Sequence, residues 1–292
     1  MFKGSITAIV TPFKNGNIDE KKFRELIEFQ IKNGSSGIVP CGTTGESATL
    51  SFEEHERVIE ITIEQAAKRV PVIAGTGSNS TQEAIMLTRQ AAAAGADASL
   101  QVSPYYNRPT QRGLYEHFKA IAQAVKIPLI LYNIAGRTGV NIEPETIARL
   151  ATDCKNIVGV KEASGNLEQM SRIKALCPPE FQLISGDDGL TLPVLSIGGI
   201  GIISVVSNIV PRDVADMVAA FERGDIKTAQ KLHYKLLPLV KAVFLETNPI
   251  PVKTALGLLG MCEPDLRLPM CAMSEENLGK LKKALKDYGV LK

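Results

Sequence analysis

The sequence predicts an α/β protein, a (β/α)₈ TIM barrel with a small C-terminal helical subdomain, and three observations carry that reading. Short β-branched apolar runs alternate with amphipathic segments roughly every 25 to 30 residues, the rhythm of repeated βα units. Eight such runs can be counted before the rhythm stops near Arg223. Nearly every run is followed at once by a polar or glycine-bearing cluster. A barrel gathers all such clusters on one face, where active sites lie, whereas an open doubly wound sheet would scatter them.

In chain order the predicted strands are Ser5–Thr11, Gly37–Cys41, Val70–Gly75, Ala98–Ser103, Pro128–Asn133, Ile157–Lys161, Gln182–Ser185 and Gly201–Val205. Each is a short apolar run bounded by turn formers, as expected of strands covered on both faces. Predicted helices between them include Asp19–Asn33, Ser51–Ala67, Ser80–Ala94, Leu114–Ala124 and Pro211–Arg223. Ser51 with Glu54 and Ser80 with Glu83 match the capping-box spacing, and Gly34 and Gly95 stand where helix C-caps are expected. The polar clusters that follow the strands include Gly42-Thr43-Thr44-Gly45-Glu46, Pro104-Tyr105-Tyr106-Asn107, Tyr132-Asn133 and Gly186-Asp187-Asp188. Gly75-Thr76-Gly77 is no dinucleotide fingerprint, because Ser80 occupies the third glycine position. Residues 1–223 are read as the catalytic barrel and 224–292 as the helical subdomain, with helices over Asp225–Val243 and Ser274–Lys286 and a Pro/Gly-punctuated stretch between them.

Composition narrows the function classes. With 292 residues, 45% hydrophobic and 22% charged, the chain has material for a large core. Its 33 basic and 31 acidic residues leave a formal net charge of +2 with no basic run, so nucleic acid is not an expected partner. No apolar stretch reaches the ~18 residues of a membrane span, and Met1-Phe2-Lys3-Gly4 leads straight into a strand, so a cytoplasmic enzyme off the membrane is expected. Five cysteines without a C-x-x-C pair point to reduced thiols, with neither a disulfide framework nor a zinc site.

The chemistry centres on Lys161. A lysine ending a buried strand either snorkels outward or, once desolvated, becomes a neutral amine able to attack a carbonyl as a Schiff-base nucleophile. In a barrel it points into the mouth, and Tyr132, ending the neighbouring strand, brings a phenol to the same place as a proton carrier; the plainer alternative is that Tyr132 only packs. Gly42-Thr43-Thr44-Gly45 offers two hydroxyls and exposed backbone N–H groups that suit a carboxylate, or is an ordinary turn into the next helix. Arg137, on the loop after the fifth strand, is either solvated or a fork for a second carboxylate. Asp187-Asp188 is an incomplete metal site and reads better as a helix cap.

Taken together, Gly42-Thr-Thr-Gly-Glu46, Pro104-Tyr-Tyr-Asn107, Tyr132-Asn133 with Arg137-Thr-Gly139, Gly159-Val-Lys-Glu162, Gly186-Asp-Asp188 and Asn248-Pro-Ile-Pro-Val-Lys253 resemble the dihydrodipicolinate (4-hydroxy-tetrahydrodipicolinate) synthases of the pyruvate-dependent class I aldolase superfamily. The resemblance runs end to end. It implies a lyase of lysine and diaminopimelate biosynthesis, without cofactor or metal, acting on pyruvate and aspartate semialdehyde. Lys161 would form the imine with pyruvate, Thr44 and its backbone neighbours would hold the pyruvate carboxylate, and Gly186 and Ile203 would line the pocket. Thr43, Tyr132 and Tyr106 would relay protons, with Tyr106 coming from the adjacent subunit of a homotetramer built as a dimer of dimers. Arg137 would receive the carboxylate of aspartate semialdehyde. Its loop departs from the family pattern, with Ala135-Gly136 where Pro-Ser is usual.

Ser47, Ala48, His55, Asn79, Glu83 and Tyr105 match the positions where feedback-inhibited relatives bind lysine, although Phe52 stands where some carry histidine. The plainer alternative is a solvated His55 and a Glu83 that completes the capping box begun by Ser80. Two rival functions share the same barrel. An N-acetylneuraminate lyase or 2-keto-3-deoxy sugar-acid aldolase would keep Lys161 and Tyr132 but bind a polyol, and a catalytically silent small-acid sensor would have no use for the lysine, tyrosine and threonine set.

Overall fold

The computed structural model describes residues 2–292. Eight strands, Gly4–Ala8, Gly37–Val39, Ile73–Gly75, Ala98–Val102, Leu129–Asn133, Ile157–Glu162, Gln182–Ser185 and Gly201–Ser204, pair in parallel in the order 2-1-8-7-6-5-4-3. Strands two and three close the ring through a parallel bridge, Ile38 to Val72, and the Ile38 N–H donates to the Pro71 carbonyl at 3.0 Å. The chain is therefore a (β/α)₈ barrel. The third strand begins three residues later than expected because Pro71 has no N–H to give the ladder. The first ends early, at Ala8, because the Val10 N–H leaves the sheet for Asn208 Oδ1 at 3.2 Å.

Alternate residues of the strands fill the barrel interior, among them Ile6, Val39, Ile73, Leu100, Ile130 and Ile184. The helices enclose it. Ser51 forms the expected capping box with Glu54 (Ser51 Oγ accepts at 3.2 Å, Glu54 Oε2 at 2.9 Å), and Gly95 caps its helix at φ +101. At Ser80 only half the box forms, because the Glu83 carboxylate turns instead to Ser78 Oγ at 2.5 Å. The fourth helix, Gln111–Ala124, starts three residues before its predicted Leu114, where the Thr110 hydroxyl caps the Gly113 N–H. A small hairpin, Phe13–Lys14 with Asn17–Ile18, turns at Asn15-Gly16, both at positive φ.

After Arg223, helices Ile226–Ala242, Ile250–Leu258 and Glu275–Tyr288 follow. Their apolar faces, including Leu239, Val252, Leu256 and Leu281, join one continuous cluster with Phe23, Ile27 and Val58 of the barrel helices. Among the described residues, no helix is long and apolar enough to cross a membrane.

Candidate active site

Parallel pairing sets Tyr132 and Lys161 side by side at the ends of strands five and six, and the ammonium nitrogen lies 4.2 Å from the centre of the phenol ring. Lys161 is 5% exposed. Burial lowers its pKa to about 8, with the Asp188 carboxylate opposing and the Arg137 charge adding to the effect. Burial also raises the Tyr132 phenol to about 12, although Arg137 and a hydrogen bond with the Thr43 hydroxyl pull it back. The pair thus sets an amine that titrates near neutrality beside a phenol that keeps its proton. Lys161 is not the last residue of its strand as expected, since the strand runs on to Glu162. That buried carboxylate accepts from Asn133 Nδ2 (2.9 Å), Gln169 Nε2 (3.2 Å) and the Ser164 N–H (2.7 Å), which fixes the turn beyond the lysine. Gly186 leaves room for the lysine stem: a Cβ there would sit 3.1 Å from Lys161 Cγ and 2.7 Å from Ala163 Cβ. Ile203 packs in the barrel interior with Tyr132 and Ile184.

The loop after strand two is clamped from three directions. Thr11 Oγ1 donates to the Gly45 carbonyl at 2.8 Å, and Thr44, buried, accepts from Asn248 Nδ2 at 3.0 Å. Glu46, held at φ +54, accepts from Lys253 Nζ at 2.5 Å and from the Arg267 N–H at 3.2 Å. Lys253 and Glu46 are both buried and pair with each other, so together they add no net charge to the mouth. Arg137 sits on a single helical turn, Ala135–Thr138, exposed, with Nη2 donating to the Asn248 carbonyl at 3.1 Å. Asn248 and Lys253 belong to the Asn-Pro-Ile-Pro-Val-Lys segment noted in the sequence, but nothing local assigned them a task. The Asp pair caps rather than chelates. Asp187 accepts from the Gly189 N–H at 2.8 Å, and Asp188 accepts from Ser204 Oγ at 2.5 Å and the Val205 N–H at 3.0 Å.

A cavity of about 630 Å³ opens at this end of the barrel. Its wall takes in Thr43, Tyr132, Arg137 and Asn248, and also Ser47, Ala48, His55, Glu83 and Tyr105. Lys161, Thr44 and Ile203, all buried, and Gly186, half-buried, are not on that wall. His55 is not solvated: it is buried, and its Nε2 donates to the Gly75 carbonyl at 2.8 Å. Asn79 stands off the wall, donating through Nδ2 to the Tyr105 carbonyl at 3.3 Å. Tyr106 is absent from its own chain's cavity and projects into solvent, 90% exposed, from a backbone at φ +70. Neither its exposure nor the clamp from Asn248 and Lys253 is visible in a linear sequence, because both depend on how distant segments meet.

The Dihydrodipicolinate synthetase family profile matches residues 1–288. The chain is 64% identical over 292 residues to 4-hydroxy-tetrahydrodipicolinate synthase of Endomicrobium trichonymphae, covering all of both chains. Among solved structures it superposes on dihydrodipicolinate synthase from Aquifex aeolicus with a TM-score of 0.98 at 52% identity, covering 99% of each chain. The Cyanidioschyzon merolae enzyme, solved with lysine bound, superposes with a TM-score of 0.96 at 44% identity, again covering 99% of each.

Proposed function

The chain belongs to the dihydrodipicolinate synthetase family, and from that premise we propose that its barrel mouth joins pyruvate to L-aspartate 4-semialdehyde through an imine on Lys161. The activity is that of a 4-hydroxy-tetrahydrodipicolinate synthase, a class I lyase. The observation that carries the mechanism is the buried Lys161 amine, its pKa lowered to about 8, packed against the Tyr132 phenol. The neutral amine attacks the ketone carbon of pyruvate, and loss of water from the carbinolamine leaves a protonated imine. Tyr132, linked to the Thr43 hydroxyl, supplies and recovers the protons of these steps. Removal of a methyl proton then gives an enamine, whose carbon bonds to the aldehyde carbon of the second substrate. Thr44 and the backbone N–H groups around it hold the pyruvate carboxylate, and Arg137 receives the carboxylate of the semialdehyde.

The test is borohydride reduction in the presence of pyruvate, followed by mass spectrometry. A single reduced pyruvoyl group on Lys161, absent from Lys161→Ala, is expected; adduct on another lysine would end this reading. Assays with aspartate semialdehyde and with candidate sugars separate the synthase from a sugar-acid aldolase, and turnover of the sugars alone would reverse the assignment.

Regulation and assembly belong to the same reading. The Glu83 carboxylate, fixed by Ser78 rather than spent on the helix cap, lies on the cavity wall near Tyr105, whose phenol is raised by burial and by that carboxylate. It suits the ammonium of free lysine, with Ser47, Ala48, His55 and Asn79 around it, and the assembly is a dimer of dimers. Calorimetric titration with L-lysine should show binding that is lost in Glu83→Ala; absence of heat and of inhibition at several millimolar would remove the site.

A further inference from the structure

Asn248 has no part in the scheme so far, yet it touches both proposed carboxylate subsites. It is 5% exposed and lines the cavity. Its Nδ2 donates to Thr44 Oγ1 at 3.0 Å, and its backbone carbonyl accepts from Arg137 at 3.1 Å. Its Oδ1 is buried and has no partner among the described residues. The amide is therefore oriented through Nδ2 alone, by the threonine.

We propose that Asn248 is a positioning residue that sets the polarity of Thr44. A hydroxyl carries one proton and two lone pairs. With Asn248 donating to one lone pair, Thr44 cannot donate back along that line, and its proton is directed to another acceptor. Among the described residues Thr44 has no protein acceptor for that proton, so the acceptor is the carboxylate of the bound keto acid, in a charge-assisted hydrogen bond. The inference rests on Thr44 being the pyruvate carboxylate's holder. The contact with Arg137 is made by backbone, so side-chain changes at Asn248 leave it in place, and the effect is confined to the keto-acid subsite.

The experiment is steady-state kinetics on the full-length enzyme with Asn248→Ala, Asn248→Asp, Thr44→Val and the Asn248→Ala/Thr44→Val pair, with thermal unfolding to confirm folding. Asn248→Ala should raise the KM for pyruvate about tenfold, the scale of one hydrogen bond, and leave the KM for the semialdehyde unchanged. Asn248→Asp should be worse at neutral pH, because a carboxylate there accepts the threonine proton and repels the substrate. Its ratio to wild type should narrow as pH falls and the new carboxyl gains a proton to donate. The double variant should match Thr44→Val alone, since both changes act through one hydroxyl. An Asp variant as good as wild type, or additive effects in the pair, would overturn the role of Asn248 while sparing the site. A Thr44→Val enzyme with normal pyruvate KM would instead remove the carboxylate reading beneath it. If the Asp variant does not fold, the Ala variant and the pair still decide.

Discussion

At the scale of single residues, the mouth depends on what burial does to an amine and a phenol. With its pKa near 8, Lys161 is uncharged in about one molecule in ten at pH 7, against about one in three thousand for an ordinary lysine. kcat/KM for pyruvate should therefore rise with pH and level off above an apparent pKa of about 8, while Tyr132, held near 12, stays a proton donor across that range. A flat pH profile between 6 and 9 would contradict it. Tyr132→Phe should lower kcat on the order of 10²-fold with imine trapping still detectable. The same burial has a stability consequence. The folded pKa of Lys161 lies below its unfolded value of 10.5, so the unfolded state binds more protons between about 8 and 10.5. The cost to stability is full below about 8 and is relieved as pH rises through that window. Lys161→Met should thus be inactive yet more stable at pH 7, by at most on the order of 3 kcal/mol, with the gain shrinking toward pH 10.5 in denaturant titrations.

At the scale of elements, tight backbone approaches and long-range clamps fix the loops that carry these groups. Gly186→Ala would force a Cβ against Ala163 and the Lys161 stem, so it should cut imine formation far more than it lowers Tm. The loop Gly42–Glu46 is tied to the C-terminal helices by the Lys253–Glu46 pair. Removing either partner strands a buried charge, so Lys253→Met or Glu46→Gln alone should cost roughly 3–5 kcal/mol in urea unfolding, and Lys253→Met with Glu46→Gln together should cost less than the two singles added. Strict additivity would mean the pair is not coupled. These contacts also mark where the sequence stops being legible. Strands such as Leu129–Asn133 announce themselves by local apolar runs, and Lys161 and Tyr132 by odd chemistry at the ends of those runs. The helices Pro144–Asp153 and Leu167–Leu176 are ten residues each and open without a capping box, but Pro144 in the first turn of one and Asn166 as N-cap of the other were local signals that the sequence did hold. The hairpin at Asn15-Gly16 had a signal in that dipeptide. The Asn248–Thr44 and Lys253–Glu46 contacts had none, since each joins residues more than 200 positions apart.

At the scale of the whole molecule, the question is what completes the mouth. Tyr106 is pinned in the left-handed region at φ +70, a conformation that strains a tyrosine, and holds its ring 90% in solvent. Exposed apolar side chains also occur at the cavity: Tyr105 and Phe52 line it while remaining 40% and 50% exposed, and Leu268, next in sequence to the lining residue Pro269, is 81% exposed. A loop that presents a bare aromatic ring fits a surface covered by a second copy, which would receive Tyr106 in its own mouth. If so, Tyr106→Phe and Lys161→Ala damage different sites of the same pair. Each homogeneous variant should be weak or inactive. In a dimer that carries one of each, the chain with intact Lys161 receives an intact Tyr106, while its partner's site has neither. Random reassociation of equal amounts should then restore about a quarter of the wild-type sites. The measurement is activity after the two variants are dissociated, mixed and reassembled, with mass spectrometry confirming mixed assemblies. Recovery near a quarter assigns the tyrosine across the interface. No recovery in assemblies shown to be mixed would leave Tyr106 serving only its own chain, or no site at all.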